Sequence, residues 1–114
     1  MKLINLETFT DKRGNLTVIE DFPFDVKRVF FLYGCENSTR GEHRMKETRE
    51  LVVCLQGHCK VYSEEESFKL DSPSQGLIIE PEDWRVIKGF SKDAVLIIFA
   101  STKFSNDDYQ YSSE

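Results

Sequence analysis

Short apolar runs of strand length recur along the chain, separated by turn-forming residues. Asn15–Glu20 (NLTVIE) follows the turn-like Asp11-Lys12-Arg13-Gly14, and Val26–Tyr33 (VKRVFFLY), rich in β-branched and aromatic residues, stops at Gly34. Glu50–Leu55 and His58–Tyr62 flank Gln56-Gly57 and read as the clearest hairpin in the chain. Ser67–Leu70, Gly76–Ile79, Trp84–Gly89 and Ala94–Ala100 follow, broken by Asp71-Ser72-Pro73, Glu80-Pro81-Glu82-Asp83 and Ser91-Lys92-Asp93. No segment sustains a helical period. Eight strands at this spacing predict antiparallel pairing in an all-β jelly roll or barrel. Residues 1–114 read as one domain, and the polar, acidic tail over 103–114 is expected to hold one short helical turn or none.

Alternation assigns faces, because side chains two apart in a strand share one. If Val52 and Cys54 point inward, so does Glu50. Arg28 shares a face with Val26, Phe30 and Leu32, while Lys27, Val29, Phe31 and Tyr33 take the other. A guanidinium on an apolar face is costly unless paired, so Arg28 calls for an internal carboxylate such as Glu50 or for an anionic ligand.

Composition adds that the 114 residues, 39% hydrophobic and 12% aromatic, suffice for one contiguous core. A net charge of -5 argues against nucleic acid or an anionic membrane as partner, since phosphate must be met by surplus Lys and Arg. Charge interrupts residues 1–20 before an apolar stretch reaches the length of an export signal. The odd set Cys35, Cys54 and Cys59 then reads as free thiols in a reducing compartment, the cytoplasm. Cys54 and Cys59 flank the Gln56-Gly57 turn, where a reversible disulfide is the alternative to two buried small residues.

The chemistry concentrates in Gly41-Glu42-His43-Arg44-Met45, followed by Glu50 and Gly57. The spacing resembles the cupin pattern His-x-His, a short spacer, Glu, six residues and Gly, in which both His and the Glu face the barrel interior and hold a metal. Met45 stands where the second His belongs, and Pro81 is followed by Glu82-Asp83-Trp84-Arg85 rather than a further His. His43 and Glu50 supply two ligands where a catalytic site needs three, so no metal and no other cofactor is expected. His58 follows the turn glycine and is expected to face solvent. His43 remains as an interior imidazole near the barrel mouth, either a satisfied core residue or a group able to remove and return a proton near neutral pH.

Longer blocks carry a more specific resemblance: Pro23-Phe24-Asp25-Val26-Lys27-Arg28-Val29, Arg40-Gly41-Glu42-His43, Leu51 through Val61, Leu70-Asp71-Ser72-Pro73, Gly76 through Pro81 and Phe90 through Leu96. With these the chain resembles the sugar 3,4-ketoisomerases, cupin enzymes acting on dTDP-4-keto-6-deoxyglucose, nearly from end to end. The resemblance implies a cupin-type jelly-roll barrel, a homodimer, and a proton carried between C3 and C4 of the sugar by the first motif histidine, here His43. Met45 replaces the assisting second histidine. Donors for the enediolate are sought among Arg28, Tyr33 and Arg40, with packing the alternative for Tyr33 and bracing of the His43 loop for Arg40. Cations for the diphosphate are Arg13, Lys27, Arg28 and Arg40. Trp84 is either a stacking surface for thymine or sugar, or core.

These residues, taken with the resemblance, leave three functions open. The first is a metal-free 3,4-ketoisomerase of a dTDP-linked 4-keto-6-deoxyhexose. The second is a silent cupin that binds a nucleotide-sugar or a partner protein, the reading Met45 favours. The third is a dTDP-sugar epimerase, which needs an acid and a base on opposite ring faces.

Overall fold

The computed structural model describes residues 1–112, so residues 113–114, the end of the expected polar tail, lie outside the described residues. Twelve strands follow one another: β1 (Lys2–Asn5), β2 (Glu7–Asp11), β3 (Gly14–Val18), β4 (Arg28–Tyr33), β5 (Arg40–Met45), β6 (Glu50–Gln56), β7 (Cys59–Tyr62), β8 (Ser67–Leu70), β9 (Gln75–Ile79), β10 (Arg85–Lys88), β11 (Val95–Ala100) and β12 (Tyr109–Gln110). The described helical structure is one 3-10 turn, Asn106–Asp108. No helix among the described residues is long and apolar enough to cross a membrane.

One five-stranded sheet runs β1-β9-β6-β11-β4 and the other β12-β5-β10-β7-β8, all pairs antiparallel; β2 and β3 form a separate hairpin. This is the all-β, antiparallel architecture that the strand spacing predicts and the cupin-type frame that the family resemblance implies. The core lies between the sheets, where Val52, Cys54, Val61, Leu70, Leu77, Ile79 and Leu96 are sealed from solvent. Each aliphatic side chain so buried stabilises by about 1.5–3 kcal/mol. Along β11 the pattern alternates, with Leu96, Ile98 and Ala100 inside and Val95, Ile97 and Phe99 half-buried behind them.

Four strands lie where the apolar pattern gives no sign of them. β1 and β2 are mostly exposed and polar, β12 is two residues long, and β5 carries an irregularity that interrupts its alternation. The expected hairpin at Gln56-Gly57 is a different object. β6 pairs with β9 and β11, and β7 with β8 and β10, so the turn carries the chain from one sheet to the other. Gly57 turns this corner at φ +71°, with Ser91 and Asp93 filling the space a side chain would need.

Cys35, Cys54 and Cys59 are free and buried. The Cys54 thiol donates to the Gln56 carbonyl oxygen at 3.2 Å; the interaction of the two neighbouring thiols lowers the pKa of Cys54 and, with burial, pushes that of Cys59 far up. The outer face of β4, an edge strand, presents Val29, Phe31 and Tyr33, which are 50%, 59% and 68% exposed. The β2–β3 hairpin exposes Phe9 and Leu16.

Candidate active site

The strand that carries His43 is shaped by one extra residue. Opposite β10, Arg40 pairs with Ile87, Gly41 with Val86 and His43 with Arg85, leaving Glu42 as a bulge. Gly41 (φ +81°) and Glu42 (φ +59°) both adopt the left-handed conformation there. A Cβ on Gly41 would stand 2.9 Å from the Arg85 carbonyl oxygen, so backbone angle and space both select glycine. In an unbroken strand Arg40 and His43, three apart, would face opposite ways. The bulge brings both to the same cavity.

That cavity, about 380 Å³, lies between the sheets and is lined by Phe30, Leu32, Val52, Ile79, Ile87 and Ile98. Its polar lining includes Arg40, His43, Glu50, Arg85, Tyr109 and Tyr111. Glu50 points inward in the same row as Ile79, Ala100 and Arg28. Arg28 and Glu50 are therefore two strands apart with Ala100 between, roughly 10 Å. The internal partner of Glu50 is Arg85 from the opposite sheet, whose Nη1 donates to Glu50 Oε1. Both residues are almost fully buried. Arg85 Nη2 donates to the Asp83 carbonyl oxygen at 3.4 Å, and its Nε, also buried, has no partner.

His43 stands opposite Arg85 with Nδ1 buried and unpartnered. Burial, followed by the adjacent Arg85 charge, pushes its pKa down to about 4 against a smaller upward pull from Asp108. At neutral pH the imidazole is uncharged, a free base with no protein partner on Nδ1. Its flank is aromatic: the ring centroids of Tyr109 and Tyr111 lie 4.9 and 6.0 Å away, both edge-on.

The residues singled out in the sequence separate into two groups. His43, Arg40 and Glu50 meet in the cavity. Arg28 is half-buried beside it between the rings of Phe30 (5.2 Å) and Phe104 (5.8 Å), with Nε and Nη2 buried and without partners. The others lie outside the cavity of their own barrel. Tyr33 is on the outer face of β4 stacked on Phe31, as its parity with Lys27 requires. Lys27 is exposed just before β4. Arg13 is exposed at the β2–β3 turn and bound to the Asp11 carboxylate at 2.7 Å. Trp84 borders an outer groove with Glu42, Val86 and Tyr111, under the Arg44 guanidinium at 5.7 Å. Met45 is fully buried and does not line the cavity, so the side chain replacing the second histidine is packed away from the site.

Arg85, Tyr109 and Tyr111 are the site residues that sequence reasoning missed. Arg85 registered only as the absence of a histidine after Pro81. Its parity with Ile87 was the signal that a second arginine faces inward. The tyrosines come from a tail that reads as polar.

A metal does not fit this donor set. Glu50 already holds a guanidinium, and among the described residues no group of three or more His, Cys, Asp or Glu side chains is arranged to hold an ion.

Comparison with known proteins agrees with this architecture. The family described as FdtA, WxcM-like, C-terminal, matches residues 1–114. The TDP-4-oxo-6-deoxy-α-D-glucose-3,4-oxoisomerase of Aneurinibacillus thermoaerophilus is 34% identical over 116 residues, spanning 95% of this chain and 84% of that protein. The sugar 3,4-ketoisomerase QdtA of Thermoanaerobacterium thermosaccharolyticum, solved in complex with TDP, superposes with a TM-score of 0.92 at 35% identity, covering 97% of this chain and 87% of its own. A 3,4-ketoisomerase from Helicobacter canadensis gives a TM-score of 0.92 at 28% identity over 97% and 90%. With the family matched along its whole length and ketoisomerases on the same frame, the chain belongs to the FdtA, WxcM-like, C-terminal family and is an isomerase.

Proposed function

We propose that the protein is a 3,4-ketoisomerase of a dTDP-linked 4-keto-6-deoxyhexose, acting in the cytoplasm as a homodimer without metal, with His43 as the proton shuttle. The observation that carries this is the uncharged His43 imidazole in the cavity beside Arg85, its partner on the next strand, which Glu50 of the opposite sheet holds. The relatives' named substrates, a TDP-linked 4-oxo-6-deoxyglucose among them, support the sugar class.

The reaction exchanges a ketone and a hydroxyl on adjacent carbons. His43 takes the C3 proton, which the C4 carbonyl acidifies, and the C–H electron pair becomes the C3–C4 double bond as negative charge moves to O4. A proton added at O4 and one lost from O3 pass the charge along the enediol. C4 then takes the proton from the imidazolium, leaving the ketone at C3. Arg85 is the cation for the enediolate, preorganised by Glu50 and with its Nε unused by the protein. Arg28, whose buried donors lack partners, and Arg40 at the cavity wall are the cations for the diphosphate. The exposed apolar faces at Val29, Phe31 and Tyr33 and at Phe9 and Leu16 support the homodimer.

The test is NMR of dTDP-4-keto-6-deoxyglucose incubated with the protein in D2O. The reading requires a 3-keto product, and the deuterium content at C4 measures how far the proton on His43 exchanges with solvent before its return. Binding without conversion would favour a silent nucleotide-sugar binder, the second reading, which the packed-away Met45 supports. Inversion without carbonyl migration would mean an epimerase.

A further inference from the structure

The chain after β11 returns to the cavity through an anchor disproportionate to the short strand it secures. The Asp108 carbonyl oxygen accepts the Lys46 N–H at 2.8 Å, and its buried carboxylate accepts the Glu47 N–H at 2.7 Å and the Thr48 hydroxyl. The Thr48 hydroxyl also meets that of Thr102 at 2.6 Å. These contacts tie the tail to the β5–β6 turn and set β12 against β5, with Tyr109 opposite Met45. Tyr109 then lies edge-on to His43, 4.9 Å between centroids at 64°. It is held from behind by Phe104 at 5.8 Å and alongside by Tyr111, stacked at 6.1 Å and 15°.

An imidazole that shuttles a proton is ordinarily oriented by a hydrogen bond from its second nitrogen to a carboxylate or carbonyl. Nδ1 of His43 has no such partner. The charged groups nearest it are Arg85 on β10, engaged with Glu50 of β6, Asp108, engaged with the β5–β6 turn, and Arg40 on the cavity wall. Neither carboxylate is hydrogen-bonded to the imidazole. Orientation must therefore come from packing, and Tyr109 has the nearest aromatic ring.

We infer that Tyr109, delivered by the Asp108-anchored strap, is a positioning residue for His43, its ring fixing the imidazole plane and excluding water from that side. The inference rests on His43 being the proton shuttle. It assigns the flank of the imidazole to the tail, whose Tyr109 is paired with the buried Met45.

The test compares wild type with Tyr109→Ala, Tyr109→Leu and Tyr109→Phe in three measurements: an NMR titration of His43, dTDP affinity and ketosugar turnover. His43 is distinguished from His58 by His58→Gln. Tyr109→Ala should move the His43 midpoint up from about 4 toward the ordinary value of 6.5 and lower kcat by roughly tenfold or more, with dTDP affinity held within roughly threefold. Tyr109→Phe should restore most of both losses. Tyr109→Leu, which keeps apolar bulk without the flat ring, should hold the midpoint nearer its wild-type value yet lower kcat as alanine does, and decides the matter should the alanine variant fold poorly. Wild-type titration and turnover in the ring-less variants would overturn the inference, as would a phenylalanine variant as impaired as alanine. A midpoint shift in a protein that converts no ketosugar would uphold the placement of Tyr109 and sink the isomerase reading instead.

Discussion

His43 owes its state to neighbours on both sides, the aromatic strap that buries it and the arginine that repels its proton. If it is the base, the acid limb of kcat/KM should lie near 4 rather than near 6.5, with activity lost as pH falls through that limb and the imidazole is protonated. A pH–rate profile measured well below neutrality checks this, and an acid limb at 6.5 would contradict it. His43→Asn keeps size and polarity without basicity, so turnover should fall by about 10²–10⁴-fold while dTDP binding survives, as calorimetry can establish. The Glu50–Arg85 pair makes a different prediction. Glu50→Ala strands a buried guanidinium, which should cost about 3–5 kcal/mol and lower the melting temperature by roughly 10 °C or more. Replacing both partners, Glu50→Leu with Arg85→Met, should recover much of that melting temperature yet leave the enzyme inactive. Restored turnover in the double variant would remove Arg85 from the chemistry.

At the scale of elements, β5 decides the site, and it was the element hardest to read. β4 and β11 alternate cleanly, so inward Arg28, Phe30 and Leu32 were legible from parity alone, as was inward Glu50 on β6. Across β5 the left-handed pair Gly41-Glu42 resets the count, and only the pairing with β10 reveals where. Pairing between strands is also why the sequence suggests Arg28 as a partner for Glu50. Parity tells which face a residue takes, but not that β11 stands between β4 and β6 or that β10 lies across the cavity. Gly41→Ala tests the bulge. With a Cβ 2.9 Å from the Arg85 carbonyl oxygen and an unfavourable φ, it should destabilise by about 1 kcal/mol or more. It should also lower turnover more than dTDP affinity, because it disturbs the presentation of His43 first. Equal losses in both would argue that the bulge serves only folding.

For the whole molecule, the titration of His43 is linked to stability. Its pKa is depressed on folding, so between about 6.5 and 4 the unfolded chain binds the proton that the folded chain refuses. The contribution is complete above 6.5, declines as pH falls toward 4, and should be absent in His43→Asn, as parallel melting curves over that interval would reveal. The exposed apolar face of β4 bears on assembly. If it joins two copies, Phe31→Glu should shift the protein from dimer to monomer in sedimentation, and an unchanged dimer would direct attention to Phe9 and Leu16 on the hairpin. The bulge also has a meaning for descent. Loss of the single codon for Glu42 would leave Arg40 and His43 two apart in an unbroken strand, still on one face and still paired with Ile87 and Arg85. What one in-frame deletion would erase is the left-handed pair at Gly41-Glu42, and with it a lineage's need for glycine at 41, rather than the base itself.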